Sequence, residues 1–228
     1  MSWLERPQQK SSNPATKFLQ WKSEEKIFSY YDKSTGENIP VPLPFKFVIL
    51  EHYHTVKGWN DATESGIYAN EVLNIGSEPI TVKAFKGKGN IADGLYKENK
   101  HNINAAGGHY ARSIYAVTQD KEIINISLKG SAVSSYSDFI NEHGDYNFDK
   151  YWIEVNNAED RKKGKVKFSV PIFTKGSPIT KREDLMPFAN TLQEYMLEYT
   201  GDKKTVTDRE NSEVDKYESN QEEDDLAF

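Results

Sequence analysis

Residues 80–87 read ITVKAFKG, and their alternation constrains the fold more than any other stretch of the chain. In an extended segment Ile80, Val82 and Ala84 fall on one face, and Thr81, Lys83 and Phe85 on the other. A helix would scatter both sets around its axis, so this stretch has to be a half-buried strand. Further runs with strand composition follow between turn-forming clusters: KIFSYY (26–31), FKFVILEHYHTV (45–56), IYANEVLNI (67–75), RSIYAVT (112–118), EIINISLKG (122–130), YWIEV (151–155) and KVKFSVPIF (165–173). DKSTGEN, GWNDATESG and GSEP read as turns and loops, and 112–118 with 122–130 predicts a hairpin across Gln119-Asp120. Residues 87–109, rich in Gly, Asn and Lys, read as one long loop, the kind that is functional or mobile in compact domains.

Helices are the minority. Asn13-Pro14 predicts a short one, with Asn13 as cap and Pro14 in the first turn. Ser131 opens a second, with Val133, Tyr136, Phe139 or Ile140, and His143 on one stripe and Gly144 as its stop. LMPFANTLQEYMLEY (185–199) predicts a third, with Leu185, Phe188, Ala189, Leu192, Met196 and Tyr199 on one face. The expected fold class is mainly β with minor α, a small twisted β-barrel with an inserted helix and a C-terminal helix. The expected organisation is a flexible N-terminus (1–12), one domain (13–201) and a disordered acidic C-terminal tail (202–228).

Charge divides the chain in the same place. From Gly201 to Phe228 there are ten acids and four bases, which accounts for the whole net charge of −6 and leaves 25 of each sign in residues 1–200. After Gly201 apolar residues nearly vanish, so burial cannot offset the entropy of ordering. The absence of cysteine removes disulfides, thiolate zinc sites and cysteine nucleophiles, and it fits a reducing compartment. The N-terminal MSWLERPQQK has no apolar core of a secretory signal. FVIL (47–50) is the purest aliphatic stretch, far short of a membrane span, so no membrane association is expected.

Neither a Walker-type phosphate loop nor G-x-S-x-G is present, and no pair of carboxylates has a spacing that forces them together. No catalytic residue, metal or cofactor is expected. His52 and His54 share a strand face and could ligate a metal, but no third ligand lies nearby in sequence. Bases interleaved with rings are more informative. KAFKGKGNIADGLYKENK (83–100) carries Lys83, Lys86, Lys88, Lys97 and Lys100 with Phe85 and Tyr96, and HYAR adds Tyr110 and Arg112 beside His109. RKKGKVK (161–167) supplies Arg161, Lys162, Lys163, Lys165 and Lys167 at a turn, just after the ring-rich YNFDKYW (146–152). Cations neutralise phosphates, and a ring offers a base its face whatever the sequence, so such loops suit single-stranded nucleic acid. The bland alternative for each piece alone is a solvated lysine turn or a core ring. Trp59, Phe85, Tyr96 and Tyr110 are the candidate stacking residues.

The last residues, QEEDDLAF, form a hook. Leu226 and Phe228 can enter a pocket whose basic rim meets Glu222, Glu223, Asp224, Asp225 and a terminal carboxylate. A polyanion tethered to a DNA-binding body can also compete for its groove at high effective concentration.

The Asp224-Asp225-Leu226-Ala227-Phe228 ending resembles that of the single-stranded DNA-binding proteins, above all the phage replication type, whose bacterial counterparts close on Asp-Asp-Ile-Pro-Phe. Ala227 departs from the usual Pro. The order of a β body, a lysine-rich loop, a C-terminal helix and an acidic tail supports the likeness, as does the stretch 123–140. The resemblance implies an OB-fold body that binds single-stranded DNA without strong sequence preference in replication, recombination and repair. It also implies a tail that recruits polymerase, helicase or primase and restrains DNA binding, possible homo-oligomers, and work in the (host) cytoplasm. The alternatives are a protein-interaction or virion structural module with a solubilising tail, a nuclease built on His52 and His54, and an RNA-binding protein.

Overall fold

The computed structural model describes residues 12–200. The expected N-terminal segment, apart from its last residue, and the acidic tail lie outside them. The described chain is mainly β, with three α-helices. Asn13-Pro14 starts no helix. The Asn13 side chain accepts a hydrogen bond from the Ala15 N–H at 2.9 Å and donates one to the Tyr115 hydroxyl at 2.9 Å. This local turn competes with a helical start and leads the chain straight into a strand.

Strands β1 (Lys17–Lys22), β2 (Ile27–Asp32) and β3 (Glu37–Val41) form an antiparallel meander. β4 (Phe45–Asn60) is the longest strand and turns over 61–64 into β5 (Ser65–Ala69), so the predicted loop 58–66 is mostly ladder. β5 is shorter than predicted. After Ala69 the side chains of Asn70 and Asn74 take over backbone groups, accepting from the N–H of Thr81 at 2.7 Å and of Gly76 at 2.9 Å, and only Val72 bridges back to His54. β6 (Ile80–Ala84) pairs with β5 as its alternation requires.

The predicted loop 87–109 holds β7 (Ala92–Gly94) and α1 (Tyr96–Ala105). Tyr96 and Ile103, one heptad apart, are the two buried residues of α1, too sparse a stripe to stand out in sequence. β8 (Gly108–Thr118) and β9 (Ile123–Lys129) make the expected hairpin. α2 (Ser131–His143) ends at Gly144, whose φ of 71° suits glycine. β10 (Tyr151–Lys163) and β11 (Val166–Pro178) form a long hairpin, and α3 (Met186–Thr200) closes the described chain.

The ladders run β3-β2-β1-β9-β8-β4-β5-β6-β7, with β1 parallel to β9 and every other pair antiparallel. The sheet is open, not the closed barrel expected. The cause lies in β4. One edge pairs with β8 along nearly its whole length, while the other is shared, by β10 at Phe45–Phe47 and by β5 at Lys57–Asn60. The hairpin and the β5–β7 ribbon therefore leave β4 separately, and among the described residues no ladder joins the outer strands β3 and β7.

Two apolar clusters lie under one face of this sheet. Leu19, Phe28, Ile114 and Ile126 pack against Val133, Tyr136 and Ile140 of α2, and Val56, Ile67, Ile80 and Val82 pack with Tyr96 and Ile103 of α1. α3 covers part of the opposite face through Leu192 and Met196, which meet Tyr53, Tyr115, Val117 and Ile123.

Candidate nucleic-acid interface

The face that α3 covers only in part collects the exposed rings. Register fixes this. Lys57 opposes Tyr68 and His109, Tyr68 opposes Lys83, and Trp59 opposes Gly66. Directly opposed residues share a face, as do alternate residues of one strand. Lys57, Trp59, Tyr68, Lys83, Phe85 and His109 therefore point the same way. Across the sheet, Phe18 opposes Asn125, which opposes Tyr115, and the alternation places Phe18 and Tyr31 on that face too. Phe85 is 72% exposed, Tyr31 60%, Trp59 56%, Phe18 47% and Tyr68 38%. Four of them are the exposed large rings of the described strands, Phe85 directly follows β6, and all five lie on one face.

The rings at the β4–β6 end are pre-assembled. Phe85 and Tyr68 stack at 4.6 Å between centroids, with an interplanar angle of 26°. Phe85 lies over Gly66, where an added Cβ would come within 3.1 Å of the ring, so glycine makes room for it. A second glycine contact holds the end of β4. Gly107, at φ 87°, accepts from the Trp59 N–H at 3.2 Å, and a Cβ on Gly58 would collide with its carbonyl.

Lysines are the main exposed charge on this face, which also holds Asp93 opposite Thr81. Lys83 is exposed, and exposed Lys86 and Lys88 follow on the loop whose Gly87 and Gly89 take positive φ. Burial pushes the half-buried Lys57 ammonium down from its ordinary value, opposed by Glu71 and assisted by Lys129. Burial also lowers Lys129, and Lys22 lowers it further. Burial pushes the Glu71 carboxyl up, against hydrogen bonds donated by the Ser113 and Tyr115 hydroxyls, the latter at 3.0 Å. Burial, and after it the Glu71 charge, raises the Tyr199 phenol, in the last turn of α3, to about 12.

Of the residues predicted from sequence, Trp59, Lys83, Phe85, Lys86 and Lys88 come together here. Others do not. Tyr96 is 7% exposed and Arg112 1%, both on the opposite, core-facing side, so neither can meet a nucleic acid in this arrangement. Half-buried Tyr110 faces that side as well. Its hydroxyl meets His54 Nδ1 at 2.7 Å, and Arg112 donates to His54 Nε2 at 2.9 Å. Since a guanidinium only donates, Nδ1 carries the His54 proton and the Tyr110 oxygen accepts it. Both nitrogens are engaged, and His52 Nδ1 lies 2.9 Å from the Tyr136 hydroxyl. Among the described residues no three His, Asp or Glu side chains are grouped to hold a metal. Lys97 and Lys100 ride on α1, over the core-facing side.

Arg161, Lys162, Lys163, Lys165 and Lys167 sit at the tip of the β10–β11 hairpin. The hairpin leaves β4 at Phe45–Phe47, not at its ring-bearing end, and docks on the β1–β2 turn, where Trp21 and Ser23 bond to Ser169 and Lys26 pairs with Asp160. Phe18, Tyr31, Tyr68, Lys22, Lys57 and Lys129 were not anticipated. The alternation of KFLQWK, with Leu19 inward and Phe18 outward, is the signal that would have found the first.

Among the described residues no helix is long and apolar enough to cross a membrane. Comparisons with protein-family models, curated proteins and solved structures find no match.

Proposed function

We propose that this ring-bearing face binds single-stranded DNA without sequence preference, as a non-enzymatic protein of phage-type replication, recombination and repair in the host cytoplasm. One observation carries the reading: the five exposed rings on or directly after the strands share one face with lysines. Bases stack on the rings, at roughly 1–3 kcal/mol each, while lysines take the phosphates. Duplex DNA hides its base faces and gains only the electrostatic part. An OB-like groove, the finer form of the fold expectation, would serve the same chemistry, and an open sheet face presents it more broadly.

The acidic tail belongs to the same proposal. Tyr199 lies within electrostatic reach of Glu71 and Tyr68, so the end of α3, from which the chain continues, is near the rings. That tether favours competition between tail and DNA, with the Leu226 and Phe228 hook left for replication partners.

The test is a fluorescence titration of the full chain with oligo-dT, duplex DNA as competitor, at several salt concentrations. Exposed Trp59 reports the contact. We expect quenching by oligo-dT, little response to duplex, and a log–log salt slope near −3 if about four phosphates are neutralised. A chain ending at Gly201 should bind more tightly at low salt. Equal affinity of the two chains would remove the competition claim, and no response to oligo-dT from either would move the search to a protein partner.

A further inference from the structure

Lys22 and Lys129 close the parallel β1–β9 ladder on the ring-bearing face. Lys129 is exposed and Lys22 half-buried, and the two ammonium groups repel each other. Lys57 adds to that repulsion from β4, across β8. Among the described residues none of the three is in an ion pair, and the nearby turn acids Glu24 and Glu25 make none with them. The packing of the body gains nothing from this arrangement, since the core side of the same strands is already filled by Leu19, Ile126 and Leu128. Lys57 has the buried Glu71 carboxyl opposing it, but Lys22 and Lys129 have no such partner, and this line of cations calls for an anion from outside.

Their place on the sheet says which anion. The line runs across the strands, from Lys22 on β1 through Lys129 on β9 and Lys57 on β4 to Lys83 on β6, about 24 Å at the usual strand spacing. Exposed rings flank the line: Trp59, Tyr68 and Phe85 at its β4–β6 end, and Phe18 and Tyr31 on β1 and β2, four residues or roughly 13 Å along the strands from Lys22 and its partner Ile27. We infer that Lys22, Lys129 and Lys57 form a phosphate-binding band, over which one single strand crosses the sheet between two stacking platforms, the second at Phe18 and Tyr31. The inference rests on the single-stranded DNA reading above and adds to it the path of the strand, a second platform and the residues between.

The test uses the full chain and oligo-dT of about 4 and about 16 nucleotides, the two ends of the usual site-size range. The double variant Lys22→Gln/Lys129→Gln should bind the longer probe about 10-fold more weakly. Its salt slope should be shallower by about 1.4, the value for two lost contacts on a single strand. Its Tm should hold or rise, because a repulsive pair has been removed. Phe18→Ala/Tyr31→Ala should lose about 10-fold on the longer probe and little on the shorter, which the rings around Trp59 hold alone. If the wild-type chain binds the longer probe but the lysine variant keeps its slope, or the ring variant keeps its affinity, the band is wrong and the face reading stands. If the wild-type chain binds neither probe, both fall together.

Discussion

Two basic regions occupy opposite ends of the β4 neighbourhood, and only one has the makings of a binding surface. The hairpin tip has the denser charge, five bases between Arg161 and Lys167. Of these, Arg161 is matched within the protein by Glu159 at 2.9 Å, and the neighbouring Asp160 pairs with Lys26 at 2.6 Å. No exposed ring stands among the tip lysines, only Val166. The face at the β4–β6 end has fewer cations, but Lys57, Lys83 and Lys86 sit beside Trp59, Tyr68 and Phe85 and make no ion pair among the described residues. On the proposal above, charge density along the chain ranks the two regions in the opposite order. What separates them is whether rings and uncompensated cations share one open face.

That contrast is open to direct attack. The largest effect is expected from Trp59→Ala/Phe85→Ala, on the order of 100-fold weaker oligo-dT binding for two lost stacking contacts. A loss below about threefold would erase the distinction between the regions. Changing Lys162, Lys163, Lys165 and Lys167 together to Gln should cost only about threefold to tenfold, with a shallower salt slope and unchanged Trp59 quenching. A larger loss there than from the ring variant would reverse the ranking.

Gly66→Ala should weaken binding severalfold, because the new methyl pushes Phe85 off its seat while leaving every ring and lysine present. Calorimetry should show at most a small change in Tm. Affinity equal to wild type would show that the Tyr68–Phe85 stack need not be pre-formed.

The smallest effect, at the ring face, is read through pH. The Glu71 carboxyl, under the ring face, is raised above its ordinary 4.5 by burial. The folded state then holds a proton that the unfolded chain gives up, so stability falls as pH rises from the unfolded value through the folded one. Subtracting the Tm–pH curve of Glu71→Gln from that of the wild type should expose this fall. A flat difference curve would show that the buried Glu71 carboxyl adds nothing to the pH dependence of stability.

Much of this body could be read from its residues. The alternation in ITVKAFKG put Ile80 and Val82 inward and Phe85 outward, and the Ser131 helix stops at Gly144 as its composition requires. The site was readable where charge and ring were neighbours in sequence, as at Lys83 to Lys88. It was not readable at Tyr31, Tyr68 and Lys129, which share a face only through ladder register, a property of pairs of strands rather than of any one. Arg112 and Tyr96 misled for the converse reason. A base and a ring in a lysine-rich stretch resemble a surface, yet one holds His54 in the core and the other anchors α1.

The parallel pairing of β1 with β9 has a consequence for how the chain is made. Thr16 bonds to Ile123, a partner 107 positions further on. During synthesis the β1–β3 meander is therefore complete long before its neighbour exists, and it waits with the open edge of β1 and the inward face of Leu19 and Phe28 uncovered. Such long-range pairing slows folding and prolongs the life of an exposed edge. The first fifth of this protein depends on its middle, and a chain stalled before Ile126 would present a sticky ribbon in place of half a binding face.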